Sequence, residues 1–132
     1  MLGIVDARLK DTPVGAVHNG VVLVVDDERY IVDLLTDLLQ DEGYHVLRAS
    51  DGQAALEILS QQLPDLVVAD VMMPRIDGMR LLALIREQNR NLPVILMSAA
   101  VTPQSDDVTF LRKPFDIDVL LALIERKIAA AS

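Results

Sequence analysis

Apolar runs alternate with stretches of helical period along this chain. Residues 21–25 are five consecutive apolar positions, four of them valine, and 66–69 and 93–97 are similar runs. Short continuous runs rich in β-branched residues predict strands buried on both faces, as in a parallel sheet. Residues 44–49 alternate instead and include His45 and Arg48, which suits an edge strand; 109–112 predict a short fifth strand. Between the strands the period changes. In 29–40, Ile31, Leu34, Leu35, Leu38 and Leu39 form the stripe of a core-facing helix, and Gly43 fits its stop. Ser50 and Gln53 read as a capping box for a second helix with Ala55, Ile58, Leu59 and Leu63 inward, stopped by Pro64. Asp77 caps a third helix running to about Gln88, with Leu81, Leu82 and Ile85 buried. Asp116 caps the last helix, whose stripe is Ile117, Leu120, Leu121, Ile124 and Ile128, with Arg126 and Lys127 near its negative end. Strands alternating with helices predict an α/β fold: a doubly wound parallel sheet joined by right-handed crossovers.

Residues 1–20 lack this patterning. Pro13, Gly15, Asn19 and Gly20 interrupt them, and they read as a mobile N-terminal extension with a short helix possible over 4–10. Residues 21–132 read as one domain, long enough for a single core. Aromatic residues are 3% of the chain, so that core must be aliphatic. The net charge is −8 and no Lys/Arg cluster stands out, which argues against nucleic-acid contact. The chain has no cysteine, which excludes disulfides, thiolate catalysis and cysteine-ligated metals. No apolar run reaches the ~18 residues of a spanning helix, and the first twenty residues do not read as a signal peptide. The expectation is a cytoplasmic protein without membrane contact. His18 and His45 each stand without a second metal-type residue at ligand spacing.

The chemistry sits where the apolar runs stop. Asp26, Asp27 and Glu28 follow the first strand, Asp70 the third, Ser98 the fourth and Lys113 the fifth. In a parallel sheet these ends share one edge, where open α/β sheets place their ligand crevices. Taken singly, Asp70 is also a plausible turn or cap residue and Asp27 a plausible helix cap. Taken together, the groups are complementary. Two or three carboxylates plus a backbone carbonyl suit Mg²⁺. One carboxylate can attack phosphorus to form an aspartyl phosphate. A cation, a lysine and a hydroxyl would then hold the phosphoryl oxygens.

Val-Val-Asp-Asp-Glu at 24–28, Asp-Val-Met-Met-Pro-Arg-Ile-Asp-Gly at 70–78, Ser-Ala at 98–99 and Lys-Pro-Phe at 113–115 resemble the receiver domain of two-component response regulators, in a stand-alone form like the chemotaxis regulators. The resemblance spans about 21–130. It implies a five-stranded, flavodoxin-like sheet in the order 2-1-3-4-5. It implies Asp70 as phosphoacceptor, and Mg²⁺ held by Asp26, Asp27, Asp70 and the Met72 carbonyl. Lys113 would pair with the phosphoryl oxygens, Ser98 would move to hydrogen-bond them, and Phe110 would be the switch aromatic, a position that a plain core aromatic could also fill. The phosphoryl donor would be a phosphohistidine on a sensor kinase or phosphotransfer protein, and the output a conformational change read by a protein partner. The domain would catalyse only its own phosphorylation and dephosphorylation, as a monomer or weak dimer.

The chain departs from the family in one interval. Fifteen positions separate Ser98 from Lys113, fewer than usual, so the family's fourth helix is expected to be short or absent; Thr102 and Pro103 could start only a turn or two. That puts the usual output surface in question. Met72 and Ala100, two residues past Asp70 and Ser98, are apolar, and slow self-dephosphorylation is expected. The alternative is a receiver-like interaction module independent of phosphorylation, against which the complete Asp26, Asp27, Asp70, Ser98 and Lys113 set argues. A phosphohydrolase would want an acid at Met72. A flavin binder would want a Ser/Thr/Gly-rich loop in place of Asp26-Asp27-Glu28.

Overall fold

The computed structural model describes residues 19–100 and 108–131. In chain order the elements are β1 (Gly20–Val25), α1 (Arg29–Asp41), β2 (Tyr44–Ala49), α2 (Gly52–Leu59), β3 (Leu66–Asp70), α3 (Gly78–Gln88), β4 (Val94–Ser98), β5 (Thr109–Arg112) and α4 (Ile117–Ala131). The strands form one sheet in the order β2-β1-β3-β4-β5, with every neighbouring pair parallel. This is the flavodoxin-like order expected from the sequence.

Strand period sorts the core into two layers. Val22, Val24, Leu66, Val68, Ile95 and Met97 face one side, against Val32, Leu35 and Leu39 of α1 and Leu120 and Ile124 of α4. Leu23, Val25, Val67, Ala69, Val94 and Leu96 face the other, against Ala55 of α2 and Leu81, Leu82 and Ile85 of α3. Successive side chains point to opposite faces, so a strand covered on both sides must be apolar throughout. Every residue of β3 and β4 is buried. At the edge, β2 exposes His45 and Arg48 while Tyr44, Val46 and Ala49 turn inward.

Several local expectations change. The N-cap of α2 is Asp51 rather than Ser50: its backbone is extended and its carboxylate accepts from the Ala54 N–H at 2.8 Å. An anion at a helix N-terminus also gains from the helix dipole, which a serine does not. Leu63 is 60% exposed, not inward, because α2 ends at Leu59 and its period no longer orients the residues beyond. Asp70 and Ser98 are the last residues of β3 and β4, not the first residues after them. Asp77 caps α3 through the Arg80 N–H, as expected, and the Asp116 carboxylate accepts from the Asp118 N–H at the start of α4. The expected helix over 4–10, His18, and the Thr102–Pro103 start of a shortened fourth helix lie outside the described residues. Among the described residues no helix is long and apolar enough to cross a membrane.

Candidate phosphoacceptor and metal site

The sheet order reverses direction between β1 and β3, and there the carboxylates gather. Val25 pairs with Ala69, so the next residues, Asp26 and Asp70, stand side by side at the sheet's carboxyl edge. On the other flank, Asp70 pairs with Met97 and Ser98 with Arg112, and the Lys113 N–H donates to the Ser98 carbonyl at 2.8 Å. The register therefore delivers Asp26, Asp70, Ser98 and Lys113 to one patch of the edge. Asp26, Asp70 and Ser98 are 1%, 6% and 2% exposed, whereas Asp27 faces solvent.

One carboxylate oxygen from each of Asp26, Asp27 and Asp70 lies within 4.8 Å of the others. The Lys113 ammonium is 3.4 Å from both Asp26 Oδ2 and Asp70 Oδ1. Asp26 Oδ1 accepts from the Glu28 N–H at 2.9 Å, which fixes its carboxylate at the mouth of α1. The Ser98 hydroxyl accepts from the Ala100 N–H at 3.1 Å and lies 3.4 Å from the Ala100 carbonyl. Phe110 pairs with Leu96 across β4 and β5 and is half-buried against the α2/α3 layer. Met72, Ala99 and Ala100 are exposed, and the Lys113–Pro114 peptide is cis.

Burial pushes the Asp26 carboxyl above the usual carboxylate range, even though the Glu28 N–H and the Lys113 ammonium favour its ionised form. Burial would lower the Lys113 ammonium, but Asp26 and Asp70 outweigh it and hold the group above the ordinary lysine value. The sign for stability follows. With the folded value of Asp26 above the unfolded one, its favourable share is complete at low pH. That share is lost as pH rises from about 4 through the raised value. Lys113 adds nothing to this slope until pH passes the ordinary lysine value. Asp26→Asn is therefore expected to stabilise the metal-free protein at pH 7 by about 1–3 kcal/mol, read as a higher Tm. The gain should vanish by about pH 4, where wild-type Asp26 is protonated too. A variant no more stable than wild type at pH 7 would contradict a burial cost at Asp26 larger than its contact with Lys113 returns.

The donor set fits a hard divalent cation. Octahedral Mg²⁺ with bonds of about 2.1 Å sets its ligand oxygens roughly 3–4.2 Å apart. The three carboxylate oxygens need only small side-chain rotations to reach that. A bound cation would also add positive charge beside Asp26, where Lys113 alone does not offset burial.

Some contributors carry no sequence signal beyond their residue type. Gly78 is pressed against the site: a Cβ there would lie 2.5 Å from the Asp70 carbonyl oxygen and 2.8 Å from Val71 Cα. Arg75 holds a left-handed φ of 64° and pairs with Asp51 at 3.1 Å. A glycine inside a turn motif was legible; the atoms it must approach were not.

Known proteins agree with this geometry. The response regulator receiver domain family matches residues 22–125. Response regulator MprA of Mycolicibacterium vanbaalenii is 37% identical over 110 residues, covering 76% of this chain and 47% of that protein. The DNA-binding transcriptional regulator NtrC of Escherichia coli K12 is 38% identical over 119 residues, covering 85% of this chain and 25% of that protein. The chain thus spans less than half the length of these relatives. Among solved structures, the Francisella response regulator 1452 receiver domain superposes with a TM-score of 0.78 at 33% identity, covering 86% of this chain and 99% of that one. TrrA of Thermotoga maritima, solved in complex with Mg²⁺–BeF, gives 0.75 at 33% identity over 81% of this chain and 97% of that one. With its parallel sheet, the acidic cluster at the strand-order switch and the lysine beside it, this chain belongs to the response regulator receiver domains of two-component systems.

Proposed function

We propose that Asp70 accepts a phosphoryl group from a phosphohistidine on a sensor kinase or phosphotransfer protein. One arrangement supports this reading above all: three carboxylates within 4.8 Å of each other, with one ammonium 3.4 Å from two of them. Asp70 attacks phosphorus through a carboxylate oxygen. The new P–O bond forms as the P–N bond breaks, and the histidine nitrogen leaves with the electron pair. Asp26, Asp27, Asp70 and the Met72 carbonyl would hold Mg²⁺, which neutralises charge on the phosphoryl oxygens. Lys113, already beside Asp70, would pair with a phosphoryl oxygen and keep its contact with Asp26. The transfer makes Asp70 more negative and adds acceptor oxygens. The Ser98 hydroxyl would exchange its contacts with Ala100 for one of them. Phe110 on the neighbouring strand would turn into the space so released, changing the surface that a protein partner reads. Residues 21–132 form the receiver in this reading, joined by Gly20 as the first residue of β1, and the residues before it are an extension.

Incubation with Mg²⁺ and a small acyl phosphate tests the proposal. The expected result is a mass gain of one phosphoryl group, labile to hydroxylamine and dependent on Mg²⁺. No gain, with Mg²⁺ present and the chain folded, would overturn it.

Lifetime is the next quantity. Met72 and Ala100 are exposed and apolar, and neither side chain can orient an attacking water. Met72→Asn supplies an amide two residues past Asp70. The decay of acyl-phosphate-loaded protein is expected to accelerate by about tenfold, the rate worth of about 1.4 kcal/mol from one well-placed hydrogen bond. Equal decay rates would show that position 72 does not limit water attack.

A further inference from the structure

The β3–α3 loop, residues 71–77, carries Met72, and it is held through Arg75 and Asp51, neither of which belongs to the carboxylate cluster. We propose that Arg75 is a positioning residue: anchored to the N-cap of α2, it holds this loop, and with it the Met72 carbonyl, in register for a divalent cation. The inference rests on the metal reading above and concerns residues that would not touch the ion.

Three contacts build the clamp. At its base, the Gly78 N–H donates to the Val71 carbonyl at 2.9 Å and closes the loop into a ring. At its far end, Arg75 Nη2 donates to Asp51 Oδ2 at 3.1 Å. The other oxygen of the same carboxylate, Oδ1, caps α2 through Ala54. One side chain thus ties the loop to the start of a helix that is itself packed on the sheet. Beside it, Ile76 rests on Gly52: a Cβ at Gly52 would meet Ile76 Cγ2 and the Ile76 carbonyl oxygen at 2.7 Å each. Neither contact would close if the loop swung away from α2.

The backbone argues that this placement is not for stability. Arg75 sits at φ 64°, a conformation that costs non-glycine residues and suits glycine. Its ion pair is largely exposed, with Arg75 71% and Asp51 24% accessible, and such pairs add little to folding. A strained residue kept for a weak pair points to what the loop must present. On the metal reading above, what this loop would present is the Met72 carbonyl, two residues past Asp70.

The test uses the full chain, with Mg²⁺ affinity by isothermal titration calorimetry and metal-free Tm measured in parallel. In Arg75→Gly the backbone strain is relieved and the anchor lost. Metal-free Tm is expected to hold or rise, while the Mg²⁺ Kd rises about three- to fivefold, the range of an exposed pair. Asp51→Asn keeps the helix cap, since asparagine caps as well as aspartate, and removes the charge partner. It should weaken Mg²⁺ to the same extent, and the double variant no further. Arg75→Lys should retain most of the affinity, which separates lost charge from added loop freedom. Unchanged Mg²⁺ affinity in Arg75→Gly and Asp51→Asn, or a Tm that falls in step with affinity, overturns the proposal and leaves the metal site standing. A wild-type chain that binds no Mg²⁺ overturns the metal reading, and this inference with it.

Discussion

Asp70→Asn is expected to reduce phosphoryl incorporation to about 1% of wild type or less, because an amide lacks the charged oxygen that attacks phosphorus. The side chain keeps its size and its place at the end of β3, so the fold should survive. Removing one of the clustered anions leaves Lys113 paired with Asp26 and does not add repulsion. Metal-free Tm is therefore expected not to fall. Asp77→Asn is the control: Asp77 is exposed, lies in the same motif and caps α3, and asparagine caps equally well. It should label like wild type. Acid-gel or mass-spectrometric quantitation after acyl phosphate treatment separates the two. Labelling that persists in Asp70→Asn, or is lost in Asp77→Asn, would move the acceptor away from Asp70.

Gly78→Ala is expected to cost about 3 kcal/mol, a fall in Tm of roughly 10 °C for a domain of this size. Helix propensity points the other way, since alanine is better than glycine inside a helix by up to about 1 kcal/mol. The contact decides the sign. The new methyl would stand 2.5 Å from the Asp70 carbonyl oxygen and 2.8 Å from Val71 Cα, both main-chain atoms, the first of them in a buried residue at the end of β3. No flexible side-chain end can yield, so α3 or the end of β3 must shift. Phosphorylation should suffer with stability, as the displaced atoms belong to Asp70 itself. A thermal melt reads the outcome directly, and a Tm equal to or above wild type would mean that α3 is not seated on β3 as described.

The sheet was legible because its physics is local and repetitive. A strand covered on both faces has to be apolar at every position, and 21–25, 66–69 and 93–97 are. The ends of those runs announced Asp26, Asp70 and Ser98, since a polar residue closing such a run marks where the sheet meets water. Motif resemblance supplied the strand order, which periodicity does not contain. What stayed hidden depends on contacts between turns far apart in the chain. Nothing in Pro74-Arg75-Ile76 shows that Arg75 would reach Asp51 or that Ile76 would lie on Gly52. The choice of Asp51 over Ser50 as cap is similar: both can cap, and backbone geometry selects one. Leu63 failed for another reason, because helical period was carried past the end of α2.

Each strand pair in this sheet is parallel, so none is a hairpin and each closes across an intervening segment. A chain of this kind gains little from its nearest neighbours and must organise distant segments before the sheet rewards it, which places such topologies among the slower-folding small domains. The two buried anions at its centre meet only when β1 and β3 join. A nascent chain therefore lacks the repulsion between Asp26 and Asp70, and the reactive edge comes into being with the native topology rather than ahead of it.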